Sequence, residues 1–239
     1  MDDDLCTFIA RQKPSAARPL TGLTVLVVED SRFACEALRL MCLRSGARIR
    51  RADCLASARR HLQCYRPTVI IVDLGLPDGS GVDLIAELAA LHPRVPALLG
   101  TSGDGAAAVD AMAAGADGFL AKPYESLAAF QQAILAPLPS ATRPIRPVAG
   151  CDDRVRPDPI AFRDDLCHIA AVLGNRPDDA MLGYVAQFLT GLARTAHDAP
   201  LEAAARALSR DRLAGQRTAH PLLRINHMVQ DRLAADAPI

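Results

Sequence analysis

Two short runs, TVLVV at residues 24–28 and TVIIV at residues 68–72, decide the fold of this chain. Both are rich in β-branched residues and have no polar face, which is the pattern of strands covered on both sides. Three further strands are predicted at residues 47–51, 97–100 and 118–121. Helical patterns lie between or after these strands, at residues 33–45, 55–64, 84–91, 106–114 and 126–135. This alternation predicts an α/β domain with a five-stranded, doubly wound parallel sheet.

The second half of the chain has a different pattern. Six prolines lie between Pro137 and Pro159, and proline is excluded from helix interiors and central strands, so we expect a semi-rigid linker over 137–159. Apolar residues then recur at helical spacing in four runs, at 160–173, 180–195, 201–213 and 222–233. We therefore predict an N-terminal extension (1–21), an α/β domain (22–136), the linker and a small all-α domain (160–239).

Composition narrows the range of partners. The 239 residues carry 27 Lys+Arg and 27 Asp+Glu, a formal net charge of zero. A neutral chain has no overall attraction for phosphate, so we do not expect a nucleic-acid partner. The acidic start MDDDL lacks the basic region of a secretory signal, and no apolar run approaches the ~20 residues that cross a bilayer. We therefore expect a cytoplasmic protein without a membrane segment.

A polar residue follows each of several predicted strands at its carboxyl end. Glu29 and Asp30 follow the first strand, and Asp73 follows the central one; Thr101 and Lys122 follow the last two. The carboxyl ends of parallel strands meet at one edge of the sheet, where ligands of such folds bind. Clustered carboxylates repel one another unless a cation balances them, and oxygen ligands suit Mg²⁺. The pattern therefore predicts a magnesium site at this edge.

Asp73 differs from the other carboxylates because it ends the central strand. The turn sequence LGLPDGSG (74–81) follows it, and we expect this turn to expose the carboxylate. A carboxylate held there can attack a phosphoryl group and form an aspartyl phosphate. Mg²⁺, Lys122 and the Thr101 hydroxyl would then share the charge of the phosphoryl oxygens.

Four blocks of sequence resemble the motifs of a response-regulator receiver domain, of the flavodoxin-like fold, in that family's order and spacing. They are VLVVEDS (25–31), IIVDLGLPDGSG (70–81), PALLGTSG (96–103) and GADGFLAKP (115–123). The resemblance covers about half of the chain. It implies that Asp73 is the phosphoacceptor and that Mg²⁺ is bound by Asp30, Asp73 and the backbone carbonyl of Gly75. It also implies that Glu29 completes the acidic pocket through water.

The same resemblance implies how the signal is received and passed on. Thr101 would be the switch hydroxyl, Lys122 the phosphate partner, and Phe119 the aromatic residue that changes rotamer. The phosphoryl group would come from a sensor histidine kinase or a histidine phosphotransferase, so the protein would be a self-phosphorylating acceptor rather than an enzyme. A cis peptide is expected before Pro123.

The lifetime of the phosphoryl group is a further expectation. In receivers, the side chains two positions after the acceptor and two after the switch hydroxyl commonly hold or block the attacking water. Both positions are glycine here, Gly75 and Gly103. Without a side chain to orient the water, we expect the aspartyl phosphate to be lost slowly.

The helical region weakly resembles a histidine-phosphotransfer domain, from IAAVLGNRPDDAMLGYVAQ (169–187) onward. That alignment puts His220 in the place of the phosphoacceptor histidine. Pro221 follows it, and proline inside a helix costs ~3 kcal/mol, so we predict that His220 stands at a helix start instead. We therefore favour a module for protein contact with a downstream target or for homodimerisation. The alternatives are a phosphorelay intermediate that uses His220 and a transcriptional regulator with an unrecognised DNA-binding domain.

Overall fold

The computed structural model describes residues 14–124, 126–139, 158–175 and 177–235. Most of the predicted N-terminal extension and of the predicted linker lies outside these residues.

The first half of the chain is built on the predicted five-stranded parallel sheet. The strands are β1 (Thr24–Val28), β2 (Arg48–Ala52), β3 (Val69–Asp73), β4 (Ala97–Ser102) and β5 (Gly118–Ala121). Their order in the sheet is β2-β1-β3-β4-β5, and every neighbouring pair is parallel. Successive side chains of a strand point to opposite faces, and in β3 the neighbours Ile70 and Ile71 accordingly belong to two different hydrophobic cores, both fully buried.

Five helices cover the two faces of this sheet, as predicted. Ser31 begins the first of them, since its hydroxyl accepts a hydrogen bond from the backbone of Ala34. The predicted helix over 106–114 is divided: a 3-10 turn at Gly105–Ala107, capped by Asp104, precedes a shorter α-helix. The helices are α1 (Arg32–Ser45), α2 (Leu55–Cys64), α3 (Gly81–Ala89), α4 (Ala108–Ala113) and α5 (Leu127–Leu135).

The second half forms a four-helix bundle, in agreement with the predicted all-α region. Three of its helices begin at an aspartate whose side chain accepts a backbone N–H of the first turn, namely Asp158, Asp178 and Asp198. Each helix contacts the next, and the first also contacts the last. The helices are α6 (Pro159–Gly174), α7 (Asp179–Thr195), α8 (Ala199–Leu213) and α9 (Ala219–Ala235).

The bundle packs directly on the sheet domain through α1. Phe33 of α1 is buried in the hydrophobic core of the bundle, and its ring meets that of Phe162 at a centroid distance of 5.5 Å. Asp165 of α6 is also buried, and it accepts hydrogen bonds from the Ser31 hydroxyl (2.7 Å) and from the backbone N–H groups of Arg32 and Phe33. A side chain of the bundle therefore helps to cap a helix of the sheet domain.

None of the helices in the described ranges combines the length and the apolar character needed to span a membrane.

Candidate functional site

The strand ends bring four of the predicted site residues together. Lys122, directly after β5, places its Nζ 2.7 Å from Glu29 Oε2 and 3.1 Å from Asp73 Oδ2. Asp30 follows Glu29 at the end of β1, and the carboxylate oxygens of Glu29, Asp30 and Asp73 lie within 4.8 Å of one another. These four residues, Glu29, Asp30, Asp73 and Lys122, are called the acidic pocket below. The Lys122–Pro123 peptide is cis, as expected.

The charges of the acidic pocket do not balance. Three carboxylates face one ammonium group, and Glu29 and Lys122 are almost completely buried. Burial and then repulsion from Asp73 raise the pKa of Asp30 to about 7, and the same two causes raise the pKa of Glu29. Burial opposes the charged form of Lys122, but the carboxylates of Asp73 and Glu29 raise its pKa above the ordinary value. Binding of a cation in the acidic pocket would therefore reduce the repulsion among its three carboxylates.

The donor set fits a hard divalent cation. Oδ1 of Asp30 is buried and has no hydrogen-bond partner among the described residues, although a buried polar atom normally has one. Two formal negative charges remain when all three carboxylates are ionised beside Lys122, and carboxylate oxygens are the ligands that Mg²⁺ and similar cations take. The acidic pocket can therefore bind a metal ion.

The expectation that the turn exposes Asp73 is wrong. Residues 75–80 of this turn form a short hairpin, in which Gly75–Leu76 pairs with Gly79–Ser80, and Asp73 is only 8% exposed. The hairpin folds back so closely that a Cβ at Gly81 would stand 2.0 Å from the Asp73 carbonyl oxygen. Gly75 is buried in this hairpin, two residues after Asp73.

The Thr101 hydroxyl is engaged in a separate contact. Thr101 lies beside Asp73 in the register of β3 and β4, but its hydroxyl donates to the Leu120 carbonyl (2.7 Å) and lies 2.9 Å from the Tyr124 hydroxyl. Sequence reasoning named Phe119 as the aromatic switch partner and missed Tyr124. Phe119 is half-buried against β4 beside Gly100. The signal for Tyr124 was present, since it is the first hydroxyl-bearing aromatic residue after Lys122.

Helix α7 of the bundle covers the acidic pocket. Its residues Tyr184, Gln187 and Gly191, spaced i, i+3 and i+7, lie on one face, which we call the α7 stripe. The Tyr184 hydroxyl donates to Asp30 Oδ2 at 2.7 Å. A Cβ at Gly75 would lie 2.3 Å from the Gln187 carboxamide carbon, and one at Gly191 would lie 3.6 Å from Lys122 Nζ. All three residues of the stripe therefore meet the pocket or its rim.

The second glycine that the sequence singled out also meets α7. A Cβ at Gly103 would stand 2.8 Å from Gly191 Cα, and the Arg194 guanidinium donates to the Gly103 carbonyl. Gly75 and Gly103 therefore allow the helix to approach the sheet edge closely. The sequence pattern missed the α7 stripe because the partners of Tyr184 and Gln187, namely Asp30 and Gly75, are more than 100 residues away along the chain.

His220 is not part of this site. It is the second residue of α9 and is exposed, and α9 contacts α6 and α8. The structure thus confirms that His220 stands at a helix start. The helix that faces Asp73 is α7, whereas His220, the phosphoacceptor in the alignment with histidine-phosphotransfer domains, lies on α9.

Comparisons with known proteins agree with this geometry. Residues 25–134 match the response regulator receiver domain family. The virulence transcriptional regulatory protein PhoP of Salmonella typhimurium is 33% identical over 116 residues, 47% of this chain and 52% of that protein. KdpE, a transcriptional regulatory protein of the KDP operon in Escherichia coli, is 33% identical over 100 residues, 42% of this chain and 44% of that protein. The chain thus spans about half the length of the curated relatives it matches.

One similar solved structure is described with a metal ion. It is the receiver domain of a sensor histidine kinase from Pseudomonas aeruginosa, with magnesium in the active site cleft. It is 24% identical, with a TM-score of 0.44, and the match covers 48% of this chain and 97% of that one. The assignment of this domain rests on the sequence motifs, on the family match over residues 25–134 and on the identity to PhoP and KdpE. Residues 25–134 of this chain form a response regulator receiver domain.

Proposed function

We propose that the protein is a phosphoacceptor whose Asp73 takes a phosphoryl group from the phosphohistidine of a sensor histidine kinase or histidine phosphotransferase. A carboxylate oxygen of Asp73 attacks phosphorus, the phosphorus–nitrogen bond breaks, and its electron pair goes to the imidazole. The receiver domain carries out this transfer on itself and is not an enzyme with a separate substrate. The observation that carries the proposal is the ammonium of Lys122, 3.1 Å from Asp73 Oδ2, which can stabilise the phosphoryl oxygens.

We further propose Mg²⁺ as the metal of the acidic pocket. Asp30 and Asp73 would hold it with the Gly75 carbonyl, and Glu29 would act through water; the unpartnered Oδ1 of Asp30 supports this assignment. Bound there, the ion supplies positive charge that offsets the negative charge of the transferring phosphoryl group.

The helical bundle is the proposed output element. Because α7 covers Asp73, a protein donor reaches the carboxylate only when the bundle moves away. A phosphoryl group on Asp73 adds negative charge beneath the α7 stripe, so we expect it to favour the displaced bundle. The bundle surface that contacts α1, around Phe162 and Asp165, would then be free to contact a downstream protein or a second copy of the chain. We expect this exchange to take place in the cytoplasm.

The two alternative outputs have weaker support. PhoP and KdpE are transcriptional regulatory proteins, but the matched segment lies in the receiver half and says nothing of the bundle. The exposed position of His220, on a helix that does not face Asp73, does not favour an internal phosphorelay.

Labelling with a phosphohistidine donor tests the proposal. We expect Mg²⁺-dependent phosphorylation of the full chain, and complete loss of it in Asp73→Asn, which keeps the side-chain volume and removes the nucleophile. Asp78→Asn is a matched control, because Asp78 caps α2 away from the acidic pocket. Undiminished labelling of Asp73→Asn would disprove the assignment.

A further inference from the structure

We propose that Gln187 of α7 is a catalytic residue for hydrolysis of the Asp73 phosphate, so that the bundle resets the receiver domain in the same chain. This inference rests on the proposed phosphorylation of Asp73, and the residue acts when the displaced bundle docks again on the phosphorylated receiver domain. It reverses the expectation from the sequence, in which two glycines left the attacking water without a side chain to orient it.

The first argument is the position of the carboxamide. The place that a side chain at residue 75 would occupy is filled by Gln187: a Cβ there would lie 2.3 Å from its Cδ, 2.5 Å from its Nε2 and 2.7 Å from its Oε1. Residue 75 is two positions after Asp73, so the amide stands at the rim of the acidic pocket. The bundle therefore supplies the polar group that the receiver domain lacks at this position.

The second argument is that the neighbours of Gln187 on α7 hold it there. Three residues before it, Tyr184 donates to Asp30 Oδ2. Four residues after it, Gly191 packs on Gly103 and lies beside Lys122 Nζ. The helix backbone is thus anchored on both sides of Gln187, so its carboxamide is carried to the pocket by a fixed backbone position.

The third argument is that the amide is free and reachable by water. Gln187 is exposed and has no hydrogen-bond partner among the described residues. It lines a cleft of about 730 Å³ between the bundle and the carboxyl end of β4, together with Ser102 and Thr190. Water can therefore reach the amide from this cleft while α7 is docked.

The chemistry suits a carboxamide. Its oxygen can accept a hydrogen bond from water while its NH₂ group donates to a phosphoryl oxygen, without adding charge beside a dianion. Glutamine orients the attacking water in some other phosphoryl-transfer proteins. The water oxygen attacks phosphorus and the bond from phosphorus to the Asp73 oxygen breaks, with its electron pair returning to the carboxylate. Both protons of the water remain on the phosphate released, as dihydrogen phosphate.

The experiment follows phosphate loss from the full chain. The protein is labelled with phosphoramidate and Mg²⁺, freed from the donor, and its aspartyl phosphate is measured over time by intact mass. We expect wild type to lose phosphate roughly 10- to 100-fold faster than Gln187→Ala and Gln187→Met. Met keeps the length of the side chain and removes the amide. Gln216→Ala is the matched control, an exposed glutamine of the bundle outside the site, and we expect it to match wild type.

A rescue separates chemistry from docking. In the Gln187→Ala background, Gly75→Asn places a carboxamide in the space that Gln187 has vacated, and we expect it to recover at least part of the lost rate. Equal or faster phosphate loss in Gln187→Met than in wild type would overturn the inference. Failure of wild type to be labelled on Asp73 at all would instead overturn the proposed function.

Discussion

The acidic pocket and the helix that covers it have opposite chemical characters. The pocket is made of four charged side chains at strand ends, Glu29, Asp30, Asp73 and Lys122, which lie close in space because parallel strands align their carboxyl ends. The α7 stripe that faces it is uncharged, with a phenol, a carboxamide and a glycine. The pocket holds the charged groups, whereas the cover contributes a hydrogen bond from Tyr184 to Asp30 without altering the formal charge.

Because of this difference, we expect substitutions in the acidic pocket and in the α7 stripe to have effects of different size. A change in the pocket alters an electrostatic balance in a buried place, where an unpaired charge is expensive. A change in the cover alters a docking equilibrium in which a single hydrogen bond, such as that from Tyr184 to Asp30, contributes far less. The predictions below test this ranking.

The largest effect is expected in the pocket. Lys122→Met keeps the volume of the side-chain stem and removes the ammonium, so the carboxylates of Glu29 and Asp73 lose their partner. We expect the free energy of unfolding to fall by about 3 kcal/mol in the presence of EDTA, with part of the loss recovered by Mg²⁺. Urea denaturation measures both values. An unfolding curve equal to that of wild type would show that the pocket does not depend on this charge.

The next effect is expected at the contact between the bundle and α1. Asp165→Ala leaves the Ser31 hydroxyl and the Phe33 N–H without their acceptor. We expect a loss of about 2 kcal/mol in stability and faster phosphorylation by a protein donor, because the bundle is released more readily.

Asp164→Ala is the matched control for that substitution. Asp164 is adjacent in sequence but pairs with Arg32 at the surface, where ion pairs contribute within about 1 kcal/mol. If both variants behave alike, the cap provided by Asp165 is not what holds the bundle in place.

A smaller effect is expected on the α7 stripe. Tyr184→Phe keeps the ring and removes the hydroxyl, which donates to Asp30 Oδ2 and lies 3.3 Å from His168 Nε2. We expect about 1 kcal/mol less docking free energy, which is a several-fold faster phosphorylation by a protein donor. Tyr65→Phe removes a hydroxyl at the C-terminal end of α2, where it lies 3.2 Å from His61 Nδ1. We expect this control to leave the rate of phosphorylation unchanged. A wild-type rate in Tyr184→Phe would mean that the contact does not limit access to Asp73.

No effect is expected at His220. His220→Ala removes an exposed side chain on a helix that does not face Asp73, so labelling and phosphate loss should match wild type. Acid-labile phosphate on His220 of the wild-type protein would contradict this and revive the phosphorelay alternative.

The sequence determined the five-stranded parallel sheet, the succession of strands and helices along the chain, and the residues of the acidic pocket. Those features follow from local signals: unbroken apolar runs such as TVIIV make buried strands, and the residues directly after parallel strands must meet at one edge. The four helices of the bundle were also readable, because apolar residues recur at helical spacing.

The tertiary structure alone decided what covers the pocket. No sequence motif near Tyr184, Gln187 or Asp165 indicates a function for them. Each contacts a partner 112 to 154 residues away along the chain; Gln187 contacts Gly75, and Tyr184 contacts Asp30. The two glycines at 75 and 103 look like empty positions in the sequence, yet in the fold they admit α7. Local patterns report which face of an element is apolar, but which faces finally meet depends on how all the surfaces pack together.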